Sequence, residues 1–185
     1  MAVSALLEID EPDPVTLENE TGSSSFFLTC DHAGRAFPRR LGTLGLPEHE
    51  TWRHIAWDIG IGEVGSELSR LLDAAIVLQT YSRLVIDCNR DPEVPSSMPE
   101  VSETTEIPGN HGIGKAGRSA RVDAIFRPYH DAIAAALDRL VGSETAAGWF
   151  GPTHFDAYVR FKRVEAEKVA DLSPAELCAR YAEVY

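Results

Sequence analysis

The 185-residue sequence predicts an α/β fold, and three observations carry that expectation. Short apolar runs of strand length stand at Ser25–Cys30, Ala74–Leu78 and Leu84–Ile86. Between the first two runs, Val64, Leu68, Leu71 and Leu72 recur at the 3.6-residue spacing of one helical face, predicting a helix over 63–72. Residues 118–141 hold the longest helical pattern, with Val122, Ile125, Phe126, Tyr129, Ile133, Ala136, Leu137 and Leu140 on one face. Pro128 lies inside that pattern and predicts a kink or a division into two helices, because proline lacks the N–H of the ladder.

Taken in order, residues 1–24 form an acidic, Pro-containing lead-in, expected to be mobile or draped over the surface. The first strand ends in Asp31-His32-Ala33-Gly34-Arg35, where small residues allow a tight turn and leave His32 at the carboxyl end of the strand. Open α/β sheets bind ligands at that end, so His32 is a candidate ligand-contacting residue. A loop with Pro38, Gly42 and Pro47 leads to a weakly helical stretch over 48–55. Asp58 precedes the helix, where it could cap it, bind a substrate cation or ligate a metal.

The third run is set in Tyr81-Ser82-Arg83-Leu84-Val85-Ile86-Asp87-Cys88-Asn89-Arg90, an apolar centre flanked by charged and amide groups. A strand here would deliver Arg83, Asn89 and Arg90 to the sheet edge. Guanidinium forks match carboxylates, so the edge suits an anionic small molecule. The alternative is that both arginines pair with Asp87, Asp91 or Glu93 as surface ion pairs. Residues 91–114 then make a long connection, of the length that is usually functional, and Ile107–Gly112 within it is a candidate lid. From Gly142 the character changes to an aromatic and charged tail. A closing helix is predicted from Ser173-Pro174-Ala175-Glu176, with Ser as N-cap and Pro at the first helical position.

Composition narrows the function. A net charge of −12 without a basic stripe excludes nucleic acid as a partner, since nothing offsets phosphate repulsion. Cys30, Cys88 and Cys178 form no CxxC pair, which points to a reduced, cytoplasmic setting. The first basic residue is Arg35, so the positive start of a signal peptide is missing, and no apolar run reaches the ~20 residues of a membrane span. The expected partner is a small acidic substrate. A homo-oligomer is compatible with the sequence, which does not set the copy number.

Three ordered motifs then resemble one family. Cys30-Asp31-His32-Ala33-Gly34, Arg53-His54-Ile55-Ala56-Trp57-Asp58-Ile59-Gly60 and Tyr81–Arg90 are similar to the N-formylglutamate amidohydrolase family, followed in the same order by Ile107-Pro108-Gly109-Asn110 and Pro128-Tyr129-His130. The resemblance implies a three-layer α/β/α sandwich of the phosphorylase/hydrolase-like (zinc-exopeptidase) type over residues 25–141, incomplete at its C-terminus, with 142–185 as a helical tail. It implies hydrolysis of N-formyl-L-glutamate, or a related N-acyl amino acid, to formate and glutamate, at the end of histidine breakdown. A divalent metal, zinc, would be held by His32 and Asp58. Arg83 and Asn89 would serve catalysis, and Arg83, Asn89, Arg90 and Asn110 would bind substrate. Two further segments of the family pattern, which would bring another metal ligand and a general base, are not evident; His154, Glu165 and Glu167 are the nearest substitutes. Two readings from other classes therefore stay open: a non-catalytic binder of an acidic metabolite, and a chain that needs a partner to complete its sheet.

Overall fold

The structure is a computed structural model that describes residues 6–24 and 26–141. The chain divides into compact units, Met1–Leu137 and Asp138–Tyr185, and every residue that builds the site lies in the first. The predicted closing helix, His154, Glu165 and Glu167 lie outside the described residues.

Among the described residues the fold is α/β, with a three-stranded sheet in the order β1-β3-β2. These strands are Val15–Glu18 (β1), Phe27–Cys30 (β2) and Ala75–Gln79 (β3). β2 runs parallel to β3, with Phe27 opposite Ala75 and Cys30 opposite Leu78. β1 runs antiparallel on the other side, with Val15 opposite Gln79. The parallel pair needs a crossover, and α1 (Ile61–Leu72) supplies it. As the central strand, β3 is buried from Ile76 to Gln79, which explains its unbroken apolar reading.

The acidic lead-in departs from the expectation of a loose segment. Its residues 15–18 form β1, and three contacts hold the surrounding chain. The Tyr81 hydroxyl donates to the Pro12 carbonyl at 2.7 Å. Arg39 pairs with Glu8 and Asp10. Asp73 accepts from Asn19 and from the backbone and hydroxyl of Ser23, which lower its carboxyl to about 2. The free edge of β3, with Tyr81, Arg39 and Asp73 as side-chain partners, captures a segment whose composition alone reads as solvated.

α1 falls where predicted but turns the other way. Gly65 and Ser69 face the sheet, whereas Leu71 is 63% exposed and Val64 53%. A Cβ on Gly65 would stand 2.8 Å from Cys30 Sγ and 2.9 Å from Ile76 Cδ1. The helix lies too close to β2 and β3 for any larger residue, so the small stripe faces inward and the apolar stripe outward. Periodicity locates such a stripe without saying what covers it.

The third predicted strand is a correction. Leu84, Val85 and Ile86 are fully buried, but they lie in a turn. Val85 N–H donates to the Ser82 carbonyl, and Ser82 Oγ accepts from Leu84 N–H while donating to Ala56 O. A buried apolar triplet reads the same from sequence whether its backbone bonds go to a neighbouring strand or to local groups.

The long connection carries a hairpin of β4 (Val101–Ser102) and β5 (Thr105–Glu106), and Ile107 beyond it is fully buried. Within the candidate lid at 107–112, Ile107 and Asn110 are anchored in the core while His111 and Gly112 are exposed. The long helical pattern resolves into α2 (Lys115–Arg121), a π-helical turn over Val122–Phe126 and α3 (Arg127–Val141). The wider turn precedes Pro128, whose ring and missing N–H cannot join a regular ladder, so the helix bulges instead of breaking.

This packing distinguishes two substitutions on α1. Gly65→Leu should lower stability by about 1–3 kcal/mol through overpacking. Leu71→Gln, similar in helix propensity and facing outward, should stay within about 0.5 kcal/mol of the parent. Denaturant unfolding of the two variants is the check.

Candidate functional site

Three chain segments meet beyond the carboxyl end of β2. Asp58 N–H donates to the His32 carbonyl, Arg83 N–H to the Ala56 carbonyl and Ser82 N–H to the Ala36 carbonyl. Residues 32–36, 56–58 and 82–83 are thereby laid side by side, and their side chains share one site. Gly34 permits the approach: a Cβ there would sit 1.9 Å from the Thr80 carbonyl oxygen.

His32, 8% exposed, stands between two carboxylates. Its Nε2 lies 2.8 Å from Asp87 Oδ1, and its Nδ1 3.3 Å from Asp58 Oδ2. Burial alone would depress the imidazole, but the bond and charge of Asp87, with Asp58 adding to them, raise His32 above its ordinary value. Asp87 is the buried member of the set, with its side chain 4% exposed. Its Oδ2 accepts from Arg83 Nη2 at 3.0 Å and Arg90 Nε at 3.2 Å, and its Oδ1 also accepts the Asn89 backbone N–H. Burial raises this carboxyl, yet His32, the Asn89 amide and Arg83 outweigh it and hold Asp87 down at about 2. Asp58 is half exposed and receives Arg83 Nη1 at 3.2 Å.

The sequence-predicted residues therefore separate into groups. His32, Asp58, Arg83 and Arg90 come together. Asn89 sits beside them, exposed, with its backbone N–H on Asp87. Asp58 is not a helix cap: Gly60 occupies that position, and α1 has no side-chain cap. Asn110 is a correction, because it is 2% exposed and spent on structure. Its Nδ2 donates to the Leu84 and Pro99 carbonyls, and its Oδ1 accepts from Arg121, itself buried. The ion-pair reading of Arg83 and Arg90 holds for Asp87, but the pairing is buried on the carboxylate side and belongs to the site.

Asp87 is the residue that sequence reasoning undervalued, named there only as an ion-pair partner. Its position after a buried apolar run, like that of Asp31 and His32 after β2, was the available signal. Asp31 and Tyr129 add a second layer: the fully buried Tyr129 hydroxyl donates to Asp31 Oδ1, which pins α3 beneath the His32 turn. His130 Nε2 meets the Cys88 carbonyl at 2.9 Å one residue further along. Cys88 carries no activated thiol, since burial and then the nearby Asp31 and Asp87 charges push it up to about 12.

One corner suits a metal ion. Two ligands at ~2.0–2.2 Å from a tetrahedral zinc lie about 3.3–3.5 Å apart, and His32 Nδ1 is 3.3 Å from Asp58 Oδ2. Asp87 on the opposite ring nitrogen matches the carboxylate that usually orients a ligating histidine. Among the described residues, however, no three His, Cys, Asp or Glu side chains converge to hold an ion. The corner offers two of the three protein ligands that a catalytic zinc keeps.

The sequence model of the family described as N-formylglutamate amidohydrolase matches residues 24–149. A crystal structure of gene product Atu2144 from Agrobacterium tumefaciens is similar to this chain, with 40% identity and a TM-score of 0.71. The likeness covers 72% of this chain and 53% of that one, so this chain spans about half the length of that relative. No curated protein matches.

The charge geometry sets a pH window. Asp87, held at about 2 against an ordinary 3.8, contributes stability that is present above pH ~4 and lost as pH falls toward 2. His32, raised from 6.5, contributes stability that is present below pH ~6.5 and lost as pH rises through its folded value. Thermal midpoints should therefore peak between about pH 4 and 6.5, and Asp87→Asn should flatten the acid limb by about 2 kcal/mol. A midpoint series across pH 2–8 on both proteins measures this.

Proposed function

This chain belongs to the N-formylglutamate amidohydrolase family, and from that premise we propose that it is a metal-dependent hydrolase of the linear amide of N-formyl-L-glutamate, or of a related N-acyl amino acid, releasing formate and the amino acid. The observation that carries the reading is His32, fixed between Asp58 and Asp87 beside Arg83, at the carboxyl end of a parallel strand. We propose, further, that the mixed sheet is part of a three-layer sandwich of zinc-exopeptidase type and that the protein is cytoplasmic.

The residues divide the work. His32 and Asp58 form the corner for a divalent metal, with Asp87 orienting the imidazole from behind. When bound, such an ion polarises an amide carbonyl and lowers the pKa of water. Arg83 and Asn89 are donors to the oxygen that gains charge during acyl transfer, and donors held in place before reaction need no reorganisation. Arg90, with only Nε on Asp87 and a 3.5 Å contact from Nη1 to Ser96, keeps donors for a substrate carboxylate. Two described ligands, in a chain that matches about half of a solved relative, favour a second reading: a binder of the acidic metabolite that lacks turnover unless a partner completes the site.

Formate release from N-formyl-L-glutamate with added zinc, beside His32→Ala, decides between them. The catalytic reading expects metal-dependent release, reduced at least 10²-fold in the variant. Arg83→Met should lower kcat by about 10²-fold while leaving the fold intact. Absence of release from folded protein that still binds N-formyl-L-glutamate would establish the second reading.

A further inference from the structure

The apolar stripe of α1 has no cover among the described residues. Ile61, Val64, Leu68, Leu71 and Leu72 are all exposed, while Gly65 and Ser69 on the inward side are buried. Together the five side chains present on the order of 400 Å² of apolar surface, a size at which a patch marks an interaction site.

The stripe has the geometry of a helix-pairing seam. Ile61, Val64, Leu68 and Leu71 follow one another at intervals of 3, 4 and 3 residues. That alternation is the narrow a/d line along which one α-helix receives another. The seam is also symmetric. Turned end for end about Ser66 it maps onto itself, Ile61 onto Leu71 and Val64 onto Leu68. An antiparallel second copy therefore sets a β-branched residue against a leucine in every layer, around one two-fold axis.

The flanks suit a like copy. Glu67, the acid beside the seam, is neutralised within its own helix by Arg70, whose Nε and Nη2 donate to it at 3.0 and 2.6 Å. Antiparallel packing also sets the positive end of each helix dipole beside the negative end of the other. A lipid surface is the wrong chemistry, because Glu63 and Glu67 stand where membrane-binding helices carry Lys and Arg. The face is rigid before docking. Asp73, the C-cap of α1, is held by Asn19 and Ser23, and Ser69 Oγ donates to the Ala74 carbonyl at 2.6 Å. Association then costs little in ordering.

We propose that the outer stripe of α1 is an interface between two copies of this chain, paired antiparallel through Ile61, Val64, Leu68 and Leu71. Two copies pool about 800 Å² of apolar surface, which with a polar rim is the low end of specific interfaces, so the dimer is a weak one. The pairing stands next to the site, because Ile61 N–H donates to the Asp58 carbonyl at 3.1 Å. Each copy thus places the C-terminal end of its α1 beside the Asp58 turn of the other.

Sedimentation velocity of the full chain from about 2 to 200 μM is the test, with folding verified by thermal melts at the lowest concentration. The parent should rise from the monomer mass toward twice that mass across the range. Leu68→Glu and Val64→Lys should each stay monomeric, since a lone charge enters two apolar layers. An equimolar mixture of the two variants should regain the dimer, because antiparallel layers bring the introduced acid against the introduced base and leave the companion layer apolar. A parent that is monomeric at every concentration overturns the proposal, whatever else then covers the stripe. A dimer that survives Leu68→Glu overturns it as well. A mixture that stays monomeric overturns the antiparallel pairing.

Discussion

A single buried carboxylate organises this site. Asp87 is nearly sealed from solvent, and a lone carboxylate in that position would neutralise itself by binding a proton. It stays ionised because an imidazole, two guanidiniums and a backbone amide converge on its two oxygens. Each of those donors comes from a segment that must be in place first: His32 from the turn after β2, and Arg83, Asn89 and Arg90 from the buried turn after β3. The electrostatic requirement of one group thus becomes a positional constraint on the others. Removing it would leave His32 with one partner and Arg83 with Asp58 alone.

The fold meets that constraint by packing backbone closely. Gly34 lets the chain after β2 run against Thr80, and Ala36 continues the parallel alignment by bridging to Tyr81. Ser82 then bonds through both backbone and side chain to the neighbouring segments, so the turn that carries Arg83 has no freedom to swing. Behind it, α2 grips the long connection by its carbonyls. Arg118 donates to Pro92 and Val94, and Arg121 to Val85 and Gly109. Arg121 has no carboxylate partner among the described residues, and burial followed by the proximity of Arg118 lowers it to about 10. These arginines act as multidentate backbone clamps. A basic residue in this sequence is therefore not by itself a sign of an anion site.

That distinction marks what sequence could resolve. The strand at 27–30, the crossover helix, the buried strand at 75–79 and an interruption of the long helix near Pro128 were legible because apolar periodicity and proline chemistry are local properties. His32 was legible from its place at the end of an apolar strand, Asp58 from its place before the crossover helix, and Arg83 and Arg90 from the apolar triplet that they flank. Three features were not. The turn at 84–86 has the composition of a strand, and only the destination of its backbone bonds, here the neighbouring Ser82, decides between the two. The inward face of α1 is set by how closely Gly65 approaches Cys30, a distance that no helical wheel contains. Asn110 lies in a Pro-Gly-Asn turn resembling a ligand loop, yet its amide is saturated by carbonyls distant in sequence.

The state of His32 follows from the same accounting of partners. With carboxylates on both ring nitrogens, His32 is shifted toward the imidazolium relative to an ordinary imidazole. A cation seated between Nδ1 and Asp58 would compete with a proton there, so its affinity would rise with pH. Arg83 opposes the same event by drawing on the other oxygen of Asp58. Asp87 favours it, because a buried carboxylate on Nε2 raises the basicity of the ring that must act as ligand. The corner is thus poised by two arginine–carboxylate contacts of opposite consequence, one on Asp58 that restrains cation binding and one on Asp87 that fixes the orienting group.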